Sequence, residues 1–384
     1  MRFESPLMSP GPRTPVAGAI KHIRTKSYPM KHSTRVKPRR WPLVLRFIKG
    51  AVHAMILLPV LLHAAWAIGV ISIHTYTHRD ISLPSTIIPS LSIVVGLMLV
   101  FRNQTSWNRF WDGRNNLTTI TTSVRNLART FLTCSYLKDQ HLDSLEQADI
   151  ERTVRVLVAI PFAVKNHLRA EWGAAFAPMA NKDIEQGGNY NITPRLNPEY
   201  ENLLPAGLKG HEDEGLGLPL QLTFMIEAFI TRGGHRGWFS PPQSSLLTTQ
   251  VNSIVAAYGK METIRITPMP IAHLIHQKQV LALFCCVLPF AMVDEMGWWT
   301  VLIVTLVTFT LYGIEGIGCQ LEDPFGHDRN DIKMDAIVTD TRVEVFTLLD
   351  EWRHTVRRGE QNGVKGEMFF DAVMPIPNGT TPGN

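Results

Sequence analysis

The chain has 384 residues, of which 45% are hydrophobic, 9% aromatic and 18% charged, with a net charge of +5. That balance excludes general disorder. The charges are unevenly placed, and residues 50–78, 81–101, 279–293 and 296–314 hold no Asp, Glu, Lys or Arg, which excludes an ordinary soluble protein.

Residues 1–42 carry ten Lys/Arg, including the cluster Arg35, Lys37, Arg39 and Arg40, against a single acid, Glu4. This segment reads as a basic, largely disordered tail that meets anionic lipid, rather than as an organelle transit peptide. The first apolar run starts too late for a cleavable signal peptide. Gly50 to about Ile73 is long enough to cross a bilayer, which takes about 20 apolar residues. A second run, from about Thr86 to Phe101, extends backwards to Ile81. A third, Val280–Val293, is lengthened by the polar turn His273–Gln279. The fourth, Met296–Gly318, opens on Trp298 and Trp299, where interfacial aromatics belong.

Short links at His74–Asp80 and Asp294-Glu295 make two tight hairpins, over 43–101 and 273–318. The basic start puts the amino terminus on the cytosolic side, and an even number of spans puts residues 102–272 and 319–384 there too. The plasma membrane is the expected location. This topology keeps the sequons at Asn103, Asn116, Asn191 and Asn378 from glycosylation. Residues 102–272 read as a helical domain, with apolar periodicity over 116–136, 145–171 and 244–266, and the carboxyl-terminal segment ends in disorder. The acidic loop His211-Glu212-Asp213-Glu214 reads as solvated. His53 and His63, ten residues apart, read as packed groups. Cys134, Cys285, Cys286 and Cys319 share no metal-ligand spacing. With no HExxH, GxSxG, Walker loop or CxxC, an enzyme is not expected.

Three segments narrow the function. Phe101-Arg102-Asn103 leads into Ser106-Trp107-Asn108-Arg109-Phe110-Trp111-Asp112-Gly113-Arg114, directly after the second span. Thr267-Pro268-Met269-Pro270 leads into the third. The fourth runs into Glu315-Gly316-Ile317-Gly318-Cys319-Gln320-Leu321-Glu322-Asp323-Pro324-Phe325-Gly326-His327-Asp328-Arg329-Asn330-Asp331. Together, in this order, they resemble the bestrophin family with its fungal and bacterial members, over about residues 41–350.

The resemblance implies an all-α integral membrane protein with four transmembrane helices and a large cytosolic helical domain. It implies a homo-pentamer in the lipid bilayer that conducts chloride and other small anions through a central pore lined by the second span. A cation channel on the same scaffold and a non-conducting scaffold are the rival readings, and no nucleic-acid partner is expected. Ile93, Leu97 and Phe101 recur at i, i+4, i+8 and match the family's three apolar neck rings, with Leu97 where an aromatic is commoner. A second, cytosolic constriction falls near Pro242 and Gln243 in a loop-prone stretch.

Arg102, Arg109 and Arg114 either form a basic vestibule or pair with carboxylates between helices. Calcium prefers six to eight oxygens, and Asp328 and Asp331 with the carbonyls of Gln320 and Asp323 are a partial set, in the segment that matches the calcium clasp of animal bestrophins. The competing reading has Asp328 and Asp331 capping the next helix and pairing with basic residues.

Overall fold

A computed structural model describes residues 52–77, 81–138, 143–169, 198–205, 208, 211, 215–328 and 330–362. The expected basic tail, most of the acidic loop and residues 363–384 lie outside them. The described residues form eight α-helices: α1 His53–Thr77, α2 Ile87–Lys138, α3 Ser144–Leu168, α4 Leu218–His235, α5 Pro241–Ile266, α6 Ile271–Met296, α7 Trp299–Glu322 and α8 Met334–Asn362. A 3-10 turn covers Pro198–Tyr200, and β-structure among these residues is limited to one bridge between His211 and Leu216.

Four helices, α1, α2, α6 and α7, are long and apolar enough to cross a membrane. They bury a small seam around Ala67, Leu99, Leu281, Leu288 and Val304. Leu57, Leu58 and Leu61 of α1 and Leu302 and Leu306 of α7 stay exposed. In water such faces would be a liability; in lipid they need no protein partner. The chain is an integral membrane protein with an all-α fold.

α6 and α7 pack against each other, whereas α1 packs chiefly on α7 and α6 rather than on α2; residues 43–51 and 78–80 of the first expected hairpin lie outside the described residues. Asp294 and Glu295 remain in the last turn of α6, and the chain reverses at Gly297, whose φ of 51° suits a residue without Cβ. The expected boundaries at 101/102 and 318/319 are not breaks, because α2 and α7 run through both. α2 is 52 residues long, about 78 Å. It therefore spans the bilayer and continues as the first helix of the domain beneath.

That domain is built around α3, in which every residue from Val156 to Asn166 is buried. Such a helix must be covered on all sides, and α2, α4 and α8 all pack against it. Phe131 of α2 meets Phe229 of α4 at 4.9 Å between ring centroids, and Trp238 and Phe239 close the cluster. Lys165, at the carboxyl end of this buried run, is only 1% exposed. It donates to both oxygens of Glu199 at 2.6 and 2.8 Å and to Asp335 at 3.1 Å. Two helices were not expected from periodicity: α4, hidden between two Gly/Pro clusters, and α8, which carries the chain from the DPFG turn back across the domain.

Candidate functional site

At about 100° per residue, α2 has two unlike faces. One strip carries Ile93, Leu97 and Phe101, then Gln104, Asn108, Trp111 and Asn115, then Thr118, Thr122 and Arg129; all are exposed. The opposite strip carries Val95, Leu99, Arg102, Ser106, Gly113, Leu117 and Ile120, and all of these are buried. The exposed strip is thus apolar at membrane depth and uncharged-polar for several turns below it. Gln104 donates from Nε2 to Asn108 Oδ1 at 3.0 Å, so neighbouring amides on this face are linked.

Arg102 sits on the other side. It is 1% exposed, and its Nε lies 3.0 Å from Glu315 while one Nη lies 3.2 Å from Glu322. The same Nη is 3.1 Å from Cys319 Sγ, and the other faces Met269 Sδ at 3.4 Å. Glu315 is further held by Gln277 Nε2 at 3.0 Å. Glu315, Cys319 and Glu322 recur at i, i+4 and i+7 on α7, so a single helix face supplies the counter-charge. Among the described residues, Arg109 makes no ion pair. Its guanidinium donates to three carbonyls, of Ile264 at 2.6 Å, Thr267 at 2.8 Å and Glu322 at 3.0 Å. These are carbonyls near the carboxyl ends of α5 and α7, which carry partial negative charge.

A Cβ on Gly318 would make an ordinary contact, 3.4 Å from the Arg102 stem, whereas one on Gly113 would lie 2.9 Å from two carbons of the Phe325 ring, an approach that a residue without Cβ makes feasible. The three sequence motifs therefore meet at one junction where the membrane helices enter the lower domain. Of the two readings of the arginines, pairing describes Arg102. Arg109 is spent on helix ends, and Arg114 bonds Thr118 at 2.6 Å. Arg102 and Arg109 form no free basic surface, and among the described residues Arg114 makes no ion pair.

The remaining candidates fall in two places. Pro242 and Gln243 are not in a loop but in the first turn of α5, both exposed. Ser240 caps that helix, and its N–H donates to Gln243 Oε1 at 2.9 Å; prolines at the first two positions fit because their missing N–H groups would be unbonded there. Gln243 also reaches Cys134 Sγ on α2 at 3.8 Å, which places the turn beside the lower end of that helix.

The DPFG segment is a tight turn between α7 and α8. Asp331 Oδ2 accepts the N–H of Asp328 at 2.7 Å, and a Cβ on Gly326 would lie 2.7 Å from the same oxygen. Burial pushes the Asp331 carboxyl above its ordinary range. Asp323 is paired with Arg265, Gln320 accepts from Asn330 at 2.6 Å, and Lys333 donates to the Asp328 carbonyl at 2.9 Å. Among the described residues, no three His, Cys, Asp or Glu are arranged to hold a metal ion. The side chains of Gln320, Asp323 and Asp331 are thus engaged within the turn or by neighbouring side chains.

His63, buried in α1, donates from Nδ1 to the Pro59 carbonyl at 2.7 Å and lies 5.5 Å from the Tyr312 ring, as expected of a packed group.

Comparison with known proteins agrees with this architecture. The model of the Bacterial/Fungal Bestrophin protein family matches residues 32–347. A voltage-dependent anion channel-forming protein of Synechocystis is 31% identical over 333 residues, 86% of this chain and 98% of that protein. One of the same description from Nostoc is 35% identical over 252 residues, 66% of this chain and 73% of that protein. Among solved structures, a bacterial bestrophin homologue from Klebsiella pneumoniae superposes with a TM-score of 0.63 at 22% identity, covering 77% of this chain and 99% of its own. With the three motifs converging on one junction and a family match over most of its length, this chain belongs to the bacterial/fungal bestrophin family.

Proposed function

We propose that five copies of the chain surround a central pore lined by α2, through which chloride and other small anions pass passively. The observation that carries this reading is the exposed strip of α2. On that strip an apolar stretch at membrane depth, Ile93, Leu97 and Phe101, runs directly in line into Gln104, Asn108, Asn115 and Thr118. A pore requires that sequence: a dry neck followed by a wet vestibule. Rings of Ile93, Leu97 and Phe101 form the neck, where a narrow apolar passage gates by dewetting. Pro242 and Gln243, beside the lower end of α2, form a second constriction.

Anion preference is supported by the descriptions of the cyanobacterial relatives. It does not draw on Arg102, Arg109 or Arg114. Arg129 is the cation on the exposed strip, and five copies would give the vestibule positive potential. The basic amino-terminal residues support cytosolic termini, with the plasma membrane as the location. The Asp323–Asp331 turn supports a structural bracket better than a calcium seat, because its carboxylates already hold backbone and Arg265.

Recording from purified protein in a planar bilayer under a KCl gradient tests the reading. Reversal near the chloride potential, unchanged by calcium, is the expected result. Reversal near the potassium potential would overturn the selectivity; silence from a monodisperse monomer would favour a scaffold.

A further inference from the structure

On α2, Asp112 and Arg114 stand two residues apart, which sets them about 160° apart around the helix and only about 3 Å apart along its axis. Between them lies the exposed strip, marked here by Trp111 and Asn115. Asp112 is exposed, and among the described residues it makes no ion pair. Arg114 is half-buried on the opposite flank, and its guanidinium meets only the Thr118 hydroxyl. The neighbouring charge on that flank is another cation, Arg125, whose carboxylate partner is Glu344 at 2.6 Å. A single protomer therefore presents an unmatched carboxylate on one flank of its pore helix and an unmatched guanidinium on the other, at nearly the same height.

We infer that Asp112 of each protomer pairs with Arg114 of the next copy of this chain, so that a belt of ion pairs closes the ring below the neck. The inference rests on the α2 ring proposed above. Opposite charges on opposite flanks suit a head-to-tail contact, in which every copy offers its neighbour the complementary flank; such contacts close into rings, whereas a two-fold contact would set like flank against like. Trp107, two turns above Arg114 on the same flank, is about half exposed and offers the same neighbour apolar surface that shields the pair from water. One exposed ion pair contributes little by itself. A half-buried one repeated at each interface sets register and direction, and it disfavours any docking that brings two Arg114 flanks together.

Charge reversal tests this in the full-length chain. Asp112→Arg and Arg114→Asp should each shift the dilution at which the detergent-solubilised oligomer dissociates by tenfold or more. The double variant, which restores opposite charges with exchanged positions, should return it close to wild type. A short bis-maleimide should give a ladder to a discrete highest species when Asp112→Cys and Arg114→Cys are combined in one chain, and none beyond the wild-type background with either alone. An oligomeric wild type whose dissociation ignores both reversals, with no ladder from the double cysteine variant, would overturn the pairing while leaving the pore reading in place. A monomeric wild type would overturn both.

Discussion

The Phe325 ring lies against the backbone of Gly113, so close that a Cβ at 113 would sit 2.9 Å from two of its carbons. Phe325 is 1% exposed and belongs to the same core as Leu117 and Ile332. The turn after the last membrane helix is thus seated on α2 by a shape match that only glycine allows. Gly113→Ala should cost about 1–3 kcal/mol through forced displacement of a packed ring. Thermal unfolding followed by detergent chromatography should show a lowered midpoint, and Phe325→Leu in the same chain should recover part of it. An unchanged midpoint for Gly113→Ala would mean that the turn yields freely and does not brace α2.

Arg102 presents a different dependence, because its two carboxylates are drawn from one helix face and are themselves largely shielded. Removing the cation leaves Glu315 and Glu322 facing each other without compensation, a situation that costs about 3–5 kcal/mol. Arg102→Met should therefore destabilise severely, and Arg102→Met with Glu315→Gln and Glu322→Gln should recover most of the loss. The comparison separates charge from volume: if the triple variant is no better than the single one, packing of the arginine stem against Gly318 and Met269 is the larger contribution.

Asp335 gives the lower domain an acid-sensitive contact. Burial alone would raise its carboxyl, but Arg169 and the Lys165 ammonium outweigh that and hold it at about 2, against an ordinary 3.8. Because the folded-state value is depressed, the stabilisation is fully present above the ordinary value and is lost as pH falls from 3.8 towards 2. Asp335→Asn should thus lie below wild type by a constant margin at neutral pH, and the margin should shrink across that window. A margin that grows on acidification would show that the contact depends on some other group. The side chain is more than half exposed, so the margin is modest.

The membrane helices were legible because lipid imposes a simple test, a run free of charge, and all four runs passed it. What sequence periodicity does not reveal is partnership. Arg102 and Arg109 look alike in the string, yet one is sealed into a carboxylate cluster and the other grips three carbonyls. A signal is available for the first: Glu315, Cys319 and Glu322 line up on one side of an otherwise uncharged helix, and a carboxylate there needs a cation. Lys165 is equally conspicuous, a lone ammonium at the end of the apolar run Val156–Val164. The helix α8 gives little periodic signal because its apolar positions Val338, Val345, Leu349 and Trp352 are spaced among many charges. Two adjacent prolines make Pro242 and Gln243 read as loop, although prolines are well suited to a helix's first turn.

The proposed neck is the place where conduction is most open to manipulation. Ile93, Leu97 and Phe101 project from the protomer at 69%, 54% and 60% exposure, so trimming them removes little from the protomer's own core. Changing all three to Ala should widen the passage and lower the cost of wetting it, with basal conductance rising severalfold and thermal stability almost unchanged. Leu97→Ala alone should give an intermediate rise, since the rings above and below still exclude water. Bilayer currents from reconstituted protein, paired with melting curves from the same preparation, are the measurement. Unaltered currents in a stable triple variant would move the gate elsewhere, to the turn at Pro242 and Gln243. A collapse of stability would mean that these side chains pack against neighbouring protomers, with the aqueous path along another face of α2.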